Sequence, residues 1–236
     1  MKAGSAVRSL CGILATGLAV GIAVPEGLAQ VAPDAAELAA YTGLHRAAAQ
    51  GDAAEAARLI GAGSNVNNRD GYGRTPLHVA TFFSRREVIA VLARAGADLS
   101  AKERDRYDAV TIAAVADDVA TLRLLLDLGA SAKLVTSRYD GTALIAAAHL
   151  GHDEVVKLLI KAGAPLDHVN NLGWTALIES IVLGNGGQRH TETLRALVQA
   201  GANVNLADRN RVTPLALARG RGYREMAQIL ERAGAR

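Results

Sequence analysis

Cysteine is almost missing from this chain of 236 residues, where the only one is Cys11. It falls inside an N-terminal segment that reads as a removable leader, so the rest of the chain has no thiol. That excludes disulfides, cysteine nucleophiles and cysteine-ligated zinc from the folded part. Aromatic residues make up only 3% of the chain, although 50% of it is hydrophobic. An apolar surface built mostly from Ala, Leu and Val suits thin layers of closely packed short helices. The formal charge of +3 is too small to require a polyanion, and nucleic acid is not expected as a partner. Catalytic motifs are missing as well. There is no Gly-X-Ser-X-Gly elbow, phosphate-loop lysine motif or His-Glu-X-X-His, and Arg189 stands where a dinucleotide motif begun at Gly184 and Gly186 would need its last glycine. The sequence therefore predicts no enzyme, no cofactor and no metal.

The leader is read from charge and length. Lys2 and Arg8 precede an uncharged stretch from Ser9 to Pro25, and Gly27-Leu28-Ala29 supplies small residues where a signal peptidase reads them. Residues 1–29 are expected to be a secretory signal cut near Ala29, which would deliver the chain to the periplasm or outside the cell. The apolar run of about 15 residues is short of the roughly 20 that span hydrocarbon, so no stable membrane insertion is expected after cleavage. Residues 30–40 are expected to be a linker and N-terminal cap, with Ala35 to Ala40 extending the first helix.

From Thr42 onward the chain repeats itself. The copies align on closing glycines Gly63, Gly96, Gly129, Gly163, Gly201 and Gly234, with openings at Thr42, Thr75, Asp108, Thr142, Thr175 and Thr213. Successive openings are 33, 33, 34, 33 and 38 residues apart, and a period near 33 with two helices per copy marks a solenoid. The copy opening at Thr75 is the clearest. Gly71 and Gly73 permit a tight turn, Thr75 can cap a helix, and Pro76 fits the first helical position, where no donor is needed. Val88, Ile89, Val91 and Leu92 then form an apolar stripe on a second helix, which Gly96 ends in a left-handed conformation. The units are read as 42–74, 75–107, 108–141, 142–174, 175–212 and 213–236. The fifth carries five extra residues around Gly184 to His190, expected as an exposed loop.

These residues resemble the ankyrin repeat. Thr75-Pro76-Leu77-His78 matches the opening motif of that family in full, and Thr213-Pro214-Leu215 and the closing Leu158-Leu159-Ile160-Lys161-Ala162-Gly163-Ala164 match it closely. The resemblance covers residues 41–236. It implies an all-α solenoid of about six helix-turn-helix units with short β-hairpin loops, and a non-enzymatic protein-binding module, expected as a monomer, that holds one or more proteins on its concave face and hairpin tips. Exported ankyrin proteins of bacteria include some associated with peroxide resistance, so an accessory role in envelope or oxidative stress protection is the implied alternative.

Transferred by alignment, binding-type positions fall before each opening and late in each first helix. They give Arg74, then Tyr107 and Trp174, the latter two expected to be exposed at hairpin tips, then Phe82, Phe83 and His149, with Arg189 and His190 from the unit-five loop. Aromatic side chains concentrate energy at interfaces, which gives Phe82, Phe83 and Trp174 weight. His45 and His78 stand where the family ties neighbouring repeats together. A small-ligand or metal sensor built on His149, His152 and His190 is a second reading, opposed by the absence of a further ligand close in sequence. Seven arginines against two glutamates between Arg209 and Arg236 make the last unit basic, most simply as a solvated cap.

Overall fold

Five of the six first helices start where a hydroxyl or carboxylate takes up a free amide. Thr75, Asp108, Thr142, Thr175 and Thr213 all accept from the backbone N–H three residues on. Each of the six then runs for only two turns before a left-handed residue, Gly51, Ser84, Asp117, Gly151 or Gly222 in five of them, turns the chain back. Helices this short are not stable alone and depend on stacking.

The computed structural model describes residues 30–236, and the expected signal segment lies outside them. A lone α1 (Ala35–Ala40) precedes six helix pairs: α2 (Gly43–Gln50) with α3 (Ala53–Gly61), α4 (Pro76–Phe82) with α5 (Arg86–Arg94), and α6 (Ala109–Val115) with α7 (Val119–Asp127). After β1 (Val135–Thr136) and β2 (Gly141–Thr142) come α8 (Ala143–Leu150) with α9 (Asp153–Lys161), α10 (Ala176–Val182) with α11 (Gln188–Gln199), and α12 (Pro214–Gly220) with α13 (Arg224–Arg232). The even-numbered helices from α2 to α12 pack in one row and the odd-numbered ones from α3 to α13 in a second. One continuous core lies between the rows, with Leu77, Leu92, Leu122, Leu144, Leu159, Leu177 and Leu194 fully buried in it. None of the described helices is long and apolar enough to cross a membrane.

Two departures from the sequence reading concern the ends of elements. Ala35 to Ala40 does not extend the first helix: Tyr41 adopts an extended conformation and separates α1 from α2. The expected exposed loop of unit five holds at Asn185 and Gly187, which are exposed, and is corrected around them. Gly184 is buried, Gly186 is half-buried, and Gln188 to His190 form the first turn of α11, which reaches 12 residues. The hydroxyl of Tyr223 donates to Gly184 O at 2.9 Å, and its ring packs on Gly186. Glycine is required at Gly186 because φ is +69° and a Cβ would meet the Tyr223 ring at 2.4 Å. Gly186→Ala is expected to lower stability by more than the about 1–2 kcal/mol of a left-handed alanine. Gly63→Ala, at a φ of +87° with open space around it, isolates the conformational part. Equal thermal shifts for the two variants would show that the Tyr223 contact contributes nothing.

The hairpin loops follow one rule. Asp70, Glu103, Ser137, Asn170 and Asp208 each use a side-chain oxygen to accept from the amides two and four residues later. Among the described residues only β1 and β2 form an antiparallel pair, with Val135 opposite Thr142. Neighbouring loops are joined by single backbone bonds, Arg104 N to Tyr72 O at 3.1 Å, Ser137 N to Arg106 O at 3.1 Å and Asn171 N to Tyr139 O at 2.9 Å. The opposite edge is joined too. Arg85 Nε donates to Ala49 O, His152 Nδ1 to Ala114 O and His190 Nε2 to His149 O, each a link from one unit to the one before.

Candidate partner-binding surface

The residue before each first helix closes its hairpin with its own backbone, and that geometry turns the side chain inward. Tyr107 and Trp174 are both 8% exposed, so the expected exposure at hairpin tips is corrected for both. Their backbone amides are held by Glu103 and Asn170, and their carbonyls close the same loops. The only tryptophan of the chain is therefore an internal reporter. Its emission is expected to be blue-shifted and poorly quenched by iodide in the native state, and red-shifted on unfolding. Ready quenching of the native protein would contradict this placement.

Arg74 is corrected more strongly, since its side chain is 0% exposed. Its Nε pairs with Asp70 Oδ2 at 2.7 Å, its guanidinium also pairs with Glu37 of α1, and it donates to Val31 O at 3.1 Å. Tyr41 donates its hydroxyl to the same Asp70 oxygen at 2.6 Å. Burial pushes the Asp70 carboxyl up, but the Tyr41 hydroxyl and the Arg74 guanidinium together hold it below its ordinary value. The sequence-predicted contact is thus satisfied within the chain, as the clamp that holds α1 in place.

The remaining residues fall at the end of α4 and in the first turn of α11. Phe82 and Phe83 are half-buried at the end of α4. Phe83 lines an open groove of about 470 Å³ together with Leu38, Tyr41, Arg46, Ala49 and Arg85. Arg189 is exposed and bridges Asp117 Oδ2 at 2.7 Å and Asp153 Oδ1 at 3.4 Å, so the first turn of α11 touches two earlier units. His190 is half-buried beneath it and is engaged with His149 O.

Histidine sorts into two groups. Five of the six donate a ring N–H to a backbone carbonyl: His45 to Arg74, His78 to Ala101, His152 to Ala114, His168 to Asp140 and His190 to His149. For His78 the tautomer is fixed, because Nδ1 accepts from Thr75 N at 3.0 Å, and burial pushes its pKa down to about 4. The sixth, His149, differs. Its ring is 42% exposed and its Nδ1 lies 3.6 Å from Glu179 Oε2, too long for a hydrogen bond. Burial and the neighbouring His190 and His152 push its pKa down. Among the described residues no group of three or more His, Cys, Asp or Glu side chains is arranged to hold a metal.

Glu179 went unnoticed in the sequence reading. It is 3% exposed, at the fourth position of α10, where the sister helices place exposed Arg46 in the first unit and then Val79, Ile112, Ala146 and Leu217. Its Oε1 accepts from Asn170 Nδ2 at 2.9 Å, which locks the Asn170 to Trp174 loop onto the helix, while Oε2 is buried without a hydrogen bond. Burial raises its pKa to about 7. A carboxylate where the inner units carry Val79, Ile112 and Ala146 was the available signal.

Two family models, both described as ankyrin repeats, match residues 110–208 and 44–93. The ankyrin repeat protein YahD of Escherichia coli is 34% identical over 190 residues, covering 80% of this chain and 94% of its own. The chain belongs to the ankyrin repeat family. Among solved structures, this ankyrin protein resembles an ankyrin repeat domain from Acinetobacter baumannii, with 44% identity, a TM-score of 0.78, and coverage of 82% of this chain and 98% of that one. The ankyrin repeat domain of Bcl-3 is similar at 31% identity and a TM-score of 0.74, over 84% of this chain and 88% of its own. Ankyrin repeats are a general protein-interaction fold, and fold alone does not name the partner.

Proposed function

We propose that this ankyrin protein is a non-enzymatic, exported, monomeric scaffold that holds a protein partner on the free face of its first-helix row. The observation that carries the reading is the groove of about 470 Å³ beside Phe83, where half-buried apolar side chains lie next to the cations of Arg46 and Arg85. Apolar anchors rimmed by polar groups are the makeup of an interface centre. Phe82, His149 and Arg189 lie further along the same structure and extend the surface. Arg74, Tyr107 and Trp174 are buried and serve the scaffold, Arg74 through the α1 clamp and the other two through their hairpin loops. The sensor reading has less support, because the rings of His152 and His190 already serve backbone carbonyls.

A photo-cross-linking amino acid at Phe83 and another at exposed Lys161 of the second-helix row would test this in extracts of the native host. Partner adducts are expected from Phe83 alone; the same adducts from both positions would sink the proposed face. Export is tested by intact mass, which should match a chain beginning at Gln30.

A further inference from the structure

His149 and Glu179 are polar where the other inner units carry apolar residues, and they face each other. Glu179 is a buried carboxylate with one oxygen satisfied by Asn170 and the other without a partner. Such an atom costs free energy in the isolated protein unless a ligand supplies the missing donor. His149 is the histidine that makes no backbone bond, and its half-exposed ring lies 3.6 Å from that oxygen. Ala146, one turn before His149 on α8, and Val182, one turn after Glu179 on α10, are both half-buried on the same face. The His149 ring is therefore flanked by apolar side chains, with the buried Glu179 carboxylate 3.6 Å behind it.

We propose that Glu179 and His149 form a docking point for a lysine side chain of the protein partner, whose ammonium donates to Glu179 Oε2 and His149 Nδ1. This deepens, and rests on, the protein-binding reading above. Lysine is favoured over arginine by the count of free oxygens. A guanidinium fork needs both carboxylate oxygens for its two parallel bonds, and Asn170 already occupies Oε1. An ammonium is a point charge that needs one, and its aliphatic stem suits the flanks of Ala146 and Val182. The ring of His149 has to swing aside for entry, which its exposed position allows. A neutral imidazole is then a second acceptor, consistent with the lowered pKa of His149.

The test uses the purified full chain and n-butylammonium as a minimal lysine. The carboxyl carbon of Glu179 and the ring of His149 are followed by NMR through a pH titration. At roughly 0.1 M, about ten times the Kd of around 10 mM expected for so small a ligand, the ammonium should lower the Glu179 midpoint by about one pH unit and shift the His149 ring signals. n-Butanol should move neither, n-butylguanidinium should act more weakly, and Glu179→Gln should leave His149 unresponsive. An unchanged Glu179 midpoint overturns the proposal, as does an equal effect of the guanidinium. Stoichiometric zinc that shifts both residues while butylammonium does not would assign the pair to a metal and overturn it too. The cross-linking experiment separates the two levels. If Glu179→Gln captures the partner from Phe83 with unchanged affinity, the lysine inference falls and the protein-binding reading stands; a tenfold weaker capture supports both.

Discussion

Arg74→Ala is expected to lower stability by about 3–5 kcal/mol, the cost of removing one member of a buried ion pair. The guanidinium satisfies Asp70, whose side chain is only 8% exposed, and deleting it leaves that carboxylate buried with the Tyr41 hydroxyl as its remaining side-chain donor. The loss also has an address. Glu37 and the Val31 carbonyl lose their donor together, so α1 should detach before the helix pairs unfold. Urea unfolding gives the magnitude and hydrogen exchange gives the place, with lost protection expected first between residues 35 and 41. Pairing Arg74→Ala with Asp70→Asn should recover part of the loss, since no charge is then stranded. A single variant within 1 kcal/mol of the parent would mean that the clamp is not a source of stability.

The second large effect depends on pH and reverses sign between two residues. The raised pKa of Glu179 means that the folded state holds a proton more tightly than the unfolded chain. Stability is then fully present below the ordinary value of 4.5 and is lost as pH rises through about 7, by about 3 kcal/mol in all. Glu179→Gln keeps an acceptor for Asn170 and cannot ionise, so it should be more stable than the parent by up to that amount at pH 9 and indistinguishable from it at pH 4. His78 works the other way. Its lowered pKa gives stability that is present above 6.5 and lost as pH falls through about 4. Denaturant midpoints measured across pH should peak where both side chains are neutral. A flat profile in the parent from pH 6 to 9 would refute the burial of Glu179 as an unpaired carboxylate.

The scaffold was legible because it is periodic. Caps, closing glycines and apolar stripes recur six times, and each copy supports the same reading of the others. The helix that begins at Pro76 and the cap at Asp108 could be placed from local chemistry alone. Exposure was less legible, because it depends on what neighbouring copies do to a position. Arg74 looked like a surface cation until Glu37, 37 residues earlier, was brought onto it by α1. Trp174 looked like a tip residue because the fold was read as a projecting hairpin, whereas the Asn170 side chain pulls the loop closed and turns the indole under it. The signal was available: an acceptor side chain stands five residues before each cap, at Asp70, Glu103, Ser137, Asn170 and Asp208. Glu179 was missed because a single carboxylate in a helix ordinarily faces water, and only the packing of α8 against α10 shows that this one does not.

The longer first turn of α11 has a mechanical consequence. In a stack whose units touch mainly their neighbours, an end can peel away one unit at a time. Arg189 binds Asp117 and Asp153 from two earlier units, so units three to five are riveted into a block. The N-terminal edge has its own rivet at Arg74. The last unit is fastened differently, by the Tyr223 hydroxyl on Gly184 O and the Arg195–Glu225 pair between α11 and α13, so it is tied only to the unit before it and would leave without loosening the block of units three and four.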